Sequence, residues 1–114
     1  MRIWTKDLPQ GAQWEEIFFG CHHLQFEQPR MVHKNGAFTL VKNIQGQRNW
    51  NPLTPHTELA SELYACVKSY LPMHAHELRL YCAIGSALDT YYGYDGFFEW
   101  TRGENRHVRF KLQH

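Results

Sequence analysis

The clearest pattern in this chain is a stripe of apolar residues at helical spacing near its middle. Thr54 can cap a helix there, Pro55 suits the first helical position, and Pro72 stops the pattern. We therefore predict the main helix over Pro55 to Tyr70. The stripe that would face the core comprises Leu59, Leu63, Cys66, Val67 and Tyr70.

The N-terminal half contains three weaker patterns. Apolar spacing predicts a short helix over Gln13 to Phe19, with Trp14, Ile17 and Phe18 inward. Asn35-Gly36 favours a type I′ turn, which predicts a hairpin between strands at Met31–Lys34 and Ala37–Val41. The segment from Asn43 to Pro52 has no period and the composition of a loop.

The C-terminal half contains three strand patterns. They are Glu77 to Ile84, Asp95 to Trp100 and Arg106 to Leu112, with Gly85 after the first and Gly103 between the last two. Together the patterns predict an α+β fold. We expect a mostly antiparallel sheet of about five strands, packed against the main helix and the short N-terminal helix, in a single domain over residues 1–114.

Composition limits the partners more than the fold. With 12 Lys and Arg against 11 Asp and Glu, the net charge of +1 creates no overall field that attracts nucleic acid. Such a partner would need a local basic patch. The three cysteines form no CxxC pair, and no apolar run is long enough for a membrane helix. We expect a soluble, cytoplasmic protein with no membrane partner.

Charged residues of the last hairpin fall on one face of it. Asp95 and Glu99 share a face of their strand, and His107, Arg109 and Lys111 share a face of the next. A three-residue loop with Gly103 in the left-handed position would set Asp95 opposite Lys111 and Glu99 opposite His107. Such pairs are common on a solvated sheet face. The alternative is a site in which carboxylates hold a divalent metal and the lysine stabilises charge on a phosphate.

The order of helix, strand, strand ending in Asp, turn and strand carrying Lys resembles the core of the PD-(D/E)xK nuclease superfamily, from about Thr54 onward. The resemblance implies phosphodiester cleavage with Mg²⁺ or Mn²⁺. It assigns Asp95 and Lys111 to catalysis, with Glu62 or Glu58 as the helix acid, and Glu99 joins Asp95 as a metal ligand. Arg109 replaces the acid expected two residues before the lysine, so a degenerate nuclease that still binds nucleic acid stays open.

The aromatic segment Tyr91 to Trp100 supports a different function. Its rings could stack on exposed bases while nearby arginines contact the phosphates. Alternatively, the rings could belong to the core. The candidate binding residues are Tyr92, Tyr94, Arg106 and Arg109. A non-enzymatic binding module, or a homodimer formed through this segment, is the alternative to a nuclease.

Histidines form two further clusters, His22-His23 and His74-Ala75-His76. Two imidazoles do not complete a zinc site, and no cysteine lies near the second pair. The chain has no nucleophile elbow, phosphate loop or dinucleotide fingerprint, which argues against serine hydrolases, kinases and dehydrogenases.

Overall fold

The structure, a computed structural model, describes residues 12–20, 30–102 and 106–113. In these ranges four α-helices and a three-stranded antiparallel sheet, ordered β1-β2-β3, form an α+β fold. The helices are α1 (Ala12–Phe19), α2 (Lys34–Asn43), α3 (Glu58–Tyr70) and α4 (Ala87–Tyr92). The strands are β1 (Arg79–Cys82), β2 (Gly96–Thr101) and β3 (His107–Leu112). No described helix is long and apolar enough to cross a membrane.

The sheet separates two hydrophobic clusters because side chains alternate along its strands. Phe98 of β2 packs with α1 and α3, and we call this the α1/α3 side. Phe97 points the other way and packs with α2 and α4, on the α2/α4 side. Buried aromatic residues are most numerous on the α1/α3 side, where they include Trp14, Phe18, Phe19, Trp50 and Phe98.

The N-terminal helix is confirmed, although its buried residues differ from those predicted. Trp14 and Phe18 are buried as expected, but Ile17 is 48% exposed and Phe19 is buried instead. Phe19 packs close to the sheet because Gly96 leaves room for its ring. A Cβ on Gly96 would lie 2.6 Å from Phe19 Cζ and 2.5 Å from the Tyr81 carbonyl oxygen.

The main helix is confirmed from Glu58 to Tyr70, but its predicted start is wrong. Thr57, not Thr54, is the N-cap, and its hydroxyl accepts a hydrogen bond of 3.3 Å from the Ala60 amide. The same hydroxyl donates to the Phe18 carbonyl and so joins α3 to the end of α1. The helix therefore begins at Glu58, directly after its Thr57 cap, rather than at Pro55.

The predicted hairpin around Asn35-Gly36 is wrong, because both residues lie in the first turn of α2. Ala37, Phe38 and Val41 are buried on one face of this helix against β1, β2 and α4. The His33 side chain accepts a hydrogen bond from the Asn35 amide at the helix start. Burial of this face outweighs the local preference of Asn-Gly for a turn. Two of the five predicted strands are therefore absent from the described residues.

The C-terminal hairpin is confirmed, with a register that differs by two residues from the predicted one. Phe97 lies opposite Lys111, Glu99 opposite Arg109, and Thr101 opposite His107. Glu99, Arg109 and Lys111 still share one side of the sheet, as predicted, because the connection remains odd in length. Residues 102–106 form this connection, rather than a three-residue loop.

Candidate functional site

Four cations cover the α2/α4 side of the sheet, and we call this group the basic surface. Lys34 and Lys42 lie near the two ends of α2, and Arg109 and Lys111 lie two residues apart on β3. A helix rises 1.5 Å per residue, which separates the two α2 positions by about 12 Å. The two β3 positions are about 7 Å apart. The four residues thus form two rows, one on α2 and one on β3.

At one end of the basic surface, the two rows meet on the ring of Tyr94. The Lys34 ammonium lies 5.4 Å from the ring centroid, and the Lys111 ammonium lies 4.8 Å from it. Lys34 is also 6.0 Å from the ring of Tyr92, and Lys111 donates a hydrogen bond of 3.1 Å to the Tyr92 carbonyl. Contact with a ring face attracts each cation without neutralising its charge.

At the other end, the two rows meet on the carboxylate of Glu99, which is only 5% exposed. The Lys42 ammonium lies 2.8 Å from one oxygen, and Arg109 Nε donates to the other at 2.7 Å. His107 Nδ1 is 3.8 Å from the first oxygen. The Arg109 guanidinium also lies 4.2 Å from the centroid of Phe38. These contacts fix both cations in position.

The ionisation of Glu99 reflects two opposing influences. Burial alone would raise the pKa of this carboxyl, but hydrogen bonds and charges from Lys42 and Arg109 hold the pKa below its ordinary value. Burial raises the pKa of the neighbouring Tyr81 hydroxyl, and the Glu99 charge raises it further. Glu99 is therefore an anion at neutral pH and neutralises one of the two cations that contact it.

The charge of the basic surface remains strongly positive. Four cations against the Glu99 carboxylate leave three positive charges unbalanced within this set of residues. Aromatic contacts restrict the lysines before any ligand arrives, which lowers the entropy lost on binding. The arrangement suits a ligand with several negative charges, such as the phosphates of a nucleic acid backbone.

A cluster of three carboxylates lies beside the start of α4. One oxygen each from Glu15, Asp89 and Asp95 lies within 4.8 Å of the others. Asp95 also accepts a hydrogen bond from Trp14 Nε1 at 3.4 Å, and Asp89 accepts one from the Gly85 amide at 2.8 Å. Carboxylate oxygens are the ligands that Mg²⁺ and Mn²⁺ prefer, so this donor set fits such an ion.

The predicted catalytic residues occupy three regions. Asp95 belongs to the carboxylate cluster, whereas Lys111 lies opposite Phe97 and contacts Tyr92 and Tyr94. Glu62 and Glu58 are exposed on α3, which packs on the other side of the sheet from Lys111. The structure thus gives Asp95 two acidic neighbours, Glu15 and Asp89, which differ from the predicted ones.

Glu99, the second predicted metal ligand, is placed among cations. Lys42 and Arg109 bind its two oxygens, an environment that repels a metal ion rather than attracting one. Its contacts therefore assign Glu99 to the basic surface.

Three of the four predicted binding residues lie at the basic surface. Tyr92 and Tyr94 contact its lysines, and Arg109 is one of its four cations. Arg106 is exposed at the end of the hairpin, where its carbonyl accepts a hydrogen bond from the Arg102 amide. The stacking platform predicted from the aromatic segment is not available at Phe97 and Phe98, which are core residues.

The histidine pair His74 and His76 lies around a short 3₁₀ turn, Ala75–Glu77. His74 Nδ1 is 3.9 Å and His76 Nε2 is 3.4 Å from the Glu77 carboxylate. Within the described ranges, the carboxylate cluster is the group that brings three metal-ligating side chains together. The other pair, His22-His23, lies outside the described residues.

Sequence reasoning missed Lys34 and Lys42 because it placed Lys34 in a hairpin that ended at Val41, just before Lys42. Read at helical spacing, Lys34, Phe38 and Lys42 share one face, at i, i+4 and i+8. That spacing was the available signal. Glu15 and Asp89 could not be linked to Asp95 from sequence, because their proximity depends on how α1 and α4 pack at the end of the sheet.

No family model, curated protein or solved structure matches this chain.

Proposed function

We propose that this protein binds nucleic acid by its phosphate backbone, through the basic surface. The observation that carries the proposal is the pairing of four cations across two elements. Lys34 and Lys111 share the Tyr94 ring, and Lys42 and Arg109 share the Glu99 carboxylate. Two rows of fixed cations can follow a chain of phosphates. The cytoplasm remains our proposed location.

The Tyr94 end of the surface should provide most of the binding energy. Lys34 and Lys111 contact aromatic rings and a backbone carbonyl, so their charges remain available to a phosphate. At the other end, Lys42 and Arg109 already bind Glu99, which offsets part of their charge. Their role is to extend the basic surface along the bound phosphates rather than to provide most of the affinity.

Fluorescence anisotropy with a labelled 20-nucleotide single strand tests the proposal. The wild-type protein should bind with an affinity that falls as salt rises, because phosphate contacts release counterions. Replacing Lys34 and Lys111 with Gln should weaken binding and lower the slope of log affinity against log salt by about 1.4, or about 0.7 per lost contact.

Lys68→Gln is the matched control. Lys68 also lies over a tyrosine, 5.9 Å from the ring of Tyr64, but it belongs to α3 on the other side of the sheet. This variant should bind the strand as the wild type does. If the Lys34/Lys111 and Lys68 variants both match the wild type in affinity and slope, the basic surface is not the binding site.

We propose metal-dependent phosphodiester cleavage as a second candidate function, favoured by the carboxylate cluster. Lys111 contacts the last residue of α4, and Asp89 lies one turn earlier on the same helix, about 4.5 Å along its axis. A phosphate held at Lys111 would therefore lie near the cluster. A divalent ion bound by the three carboxylates would supply Lewis-acid chemistry.

Two measurements separate cleavage from binding. Calorimetric titration with MnCl₂ should show binding that Asp95→Asn weakens and that Glu16→Gln, a change at an exposed neighbour of Glu15, preserves. Labelled DNA and RNA should then be cleaved in Mn²⁺ by the wild type and not by Asp95→Asn. Manganese binding without cleavage would exclude the second function and leave nucleic acid binding intact.

A further inference from the structure

On the α1/α3 side, an open groove of about 260 Å³ separates α3 from the hairpin of β2 and β3. Every side chain that lines it is apolar or aromatic, and Tyr70 and Phe110 at its rim are 76% and 64% exposed. The other main contributors are Leu63, Val67, Phe98 and Trp100. A groove of this composition excludes water from an apolar ligand and offers it no polar partner.

Beside the groove runs an edge of the sheet. Among the described strands, β3 pairs with β2 on one side only, and four of its six residues are exposed. An edge strand presents unpaired amides and carbonyls to a further strand. A peptide that adds to β3 would therefore form backbone hydrogen bonds and direct alternate side chains toward the groove.

The charges of β3 indicate which peptide fits. Phe110 and Leu112 line the groove, and Val108 shares their side of the strand by alternation. His107, Arg109 and Lys111 face the basic surface. A second copy of β3 in antiparallel pairing would place basic residues opposite basic residues, which is unfavourable. Acidic residues at those positions would instead pair with Arg109 and Lys111.

We infer that β3 and the adjacent groove bind an extended peptide in which apolar and acidic residues alternate. The apolar residues lie against Phe110 and the groove, and the acidic residues lie against the cations on the other side of the new strand. The peptide would share Arg109 and Lys111 with the basic surface, but its apolar anchor, Phe110, lines the groove on the opposite side of the sheet.

Three labelled octapeptides test the inference by fluorescence anisotropy. The first alternates Leu with Glu, the second has four Leu followed by four Glu, and the third alternates Leu with Lys. The alternating Leu/Glu peptide should bind at least about tenfold more tightly than either of the others. Equal binding of the first two peptides would overturn the inference, since strand pairing requires alternation.

Two variants and one control locate the site. Phe110→Thr keeps strand propensity but removes the apolar anchor. It should weaken binding of the Leu/Glu peptide about tenfold and leave oligonucleotide binding unchanged. Lys111→Glu should shift the preference toward the Leu/Lys peptide. Met73→Thr is the control, at a residue that is 81% exposed and outside the groove, and it should change neither the affinity for the Leu/Glu peptide nor the preference between peptides.

A second copy of the chain is the competing occupant. Analytical ultracentrifugation of the wild type should show a monomer across the concentrations used for the peptides. A dimer that dissociates in Phe110→Thr would show that the groove binds another copy, and the inference would be wrong.

Discussion

On the α1/α3 side of the sheet, Phe98 packs among aromatic and aliphatic residues, and that packing ends in an open apolar groove. On the α2/α4 side, Phe97 packs against Phe38, Tyr81 and Tyr94, and the outer faces of these three rings carry cations. The same two strands supply both surfaces. Alternation along β2 and β3 therefore lets one hairpin present an apolar site and a charged site back to back.

The comparison shows how a protein with almost no net charge can have a strongly basic surface. The rings of the α2/α4 side serve as core residues on their inner faces and as supports for Lys and Arg on their outer faces. Loss of inner packing should therefore disturb the charged surface. Loss of packing on the α1/α3 side should not.

Phe97→Ala and Phe98→Ala should have the largest effects and test this difference directly. Both rings are buried, at 0% and 2% exposure, so each change should lower the free energy of unfolding by about 3–5 kcal/mol. Urea denaturation measures this loss. Under conditions where both variants are folded, Phe97→Ala should also weaken oligonucleotide binding, because Tyr94 and Phe38 lose their support.

Phe98→Ala is the control for that second effect. It should lose similar stability and keep the oligonucleotide affinity of the wild type. Equal losses of affinity in the two variants would mean that the basic surface responds to stability in general, and the separation of the two sides would fail.

The C-terminal half of the fold was the more predictable half. Its strands alternate and its helix α3 has a long apolar stripe, so local patterns and tertiary packing agree. The face shared by Glu99, Arg109 and Lys111 followed from alternation alone. The residues opposite them on the paired strand could not be predicted in the same way. The length of the connection at 102–106 sets the register, and the sequence permits more than one odd length.

The segment around Asn35-Gly36 shows where local chemistry fails. The preference of Asn-Gly for a turn acts over only a few residues of the chain. Ala37, Phe38 and Val41, in contrast, become buried together only when the segment is helical. Gly36 lies in the first turn of α2, and a Cβ added there would have no neighbour within 4 Å, so the fold does not require glycine at this position. This error concealed half of the basic surface, since Lys34 and Lys42 are on α2.

Glu99→Gln should have an intermediate effect and reveal a pH dependence confined to the α2/α4 side. Removing the charge that Lys42 and Arg109 share should lower the free energy of unfolding by about 1–3 kcal/mol at pH 7. The folded-state pKa of Glu99 lies below its ordinary value of 4.5. The stabilisation is therefore complete above that value and disappears as the pH falls through the lower folded-state pKa.

Urea denaturation of wild type and variant between pH 3 and 7 checks this expectation. The difference in unfolding free energy should be constant at the upper end and shrink below about pH 4.5. Glu77→Gln, at a partly exposed carboxylate beside His74 and His76, should change stability by less than about 0.5 kcal/mol at pH 7. A Glu99→Gln difference that persists unchanged at pH 3 would contradict the role of the charge.

The smallest expected effects compare two helix caps, one on each side of the sheet. Thr57 caps α3 and Ser86 caps α4, and each hydroxyl accepts a hydrogen bond of 3.3 Å from an amide three residues later. Alanine at either position should lower the free energy of unfolding by about 1 kcal/mol.

The Ser86 cap differs because its amide partner, Asp89, belongs to the carboxylate cluster. Ser86→Ala should therefore also weaken manganese binding, whereas Thr57→Ala should leave it unchanged. Equal manganese affinity in the two variants would show that the cap does not position Asp89, so that the Gly85 amide, which donates to its carboxylate, is sufficient to hold it.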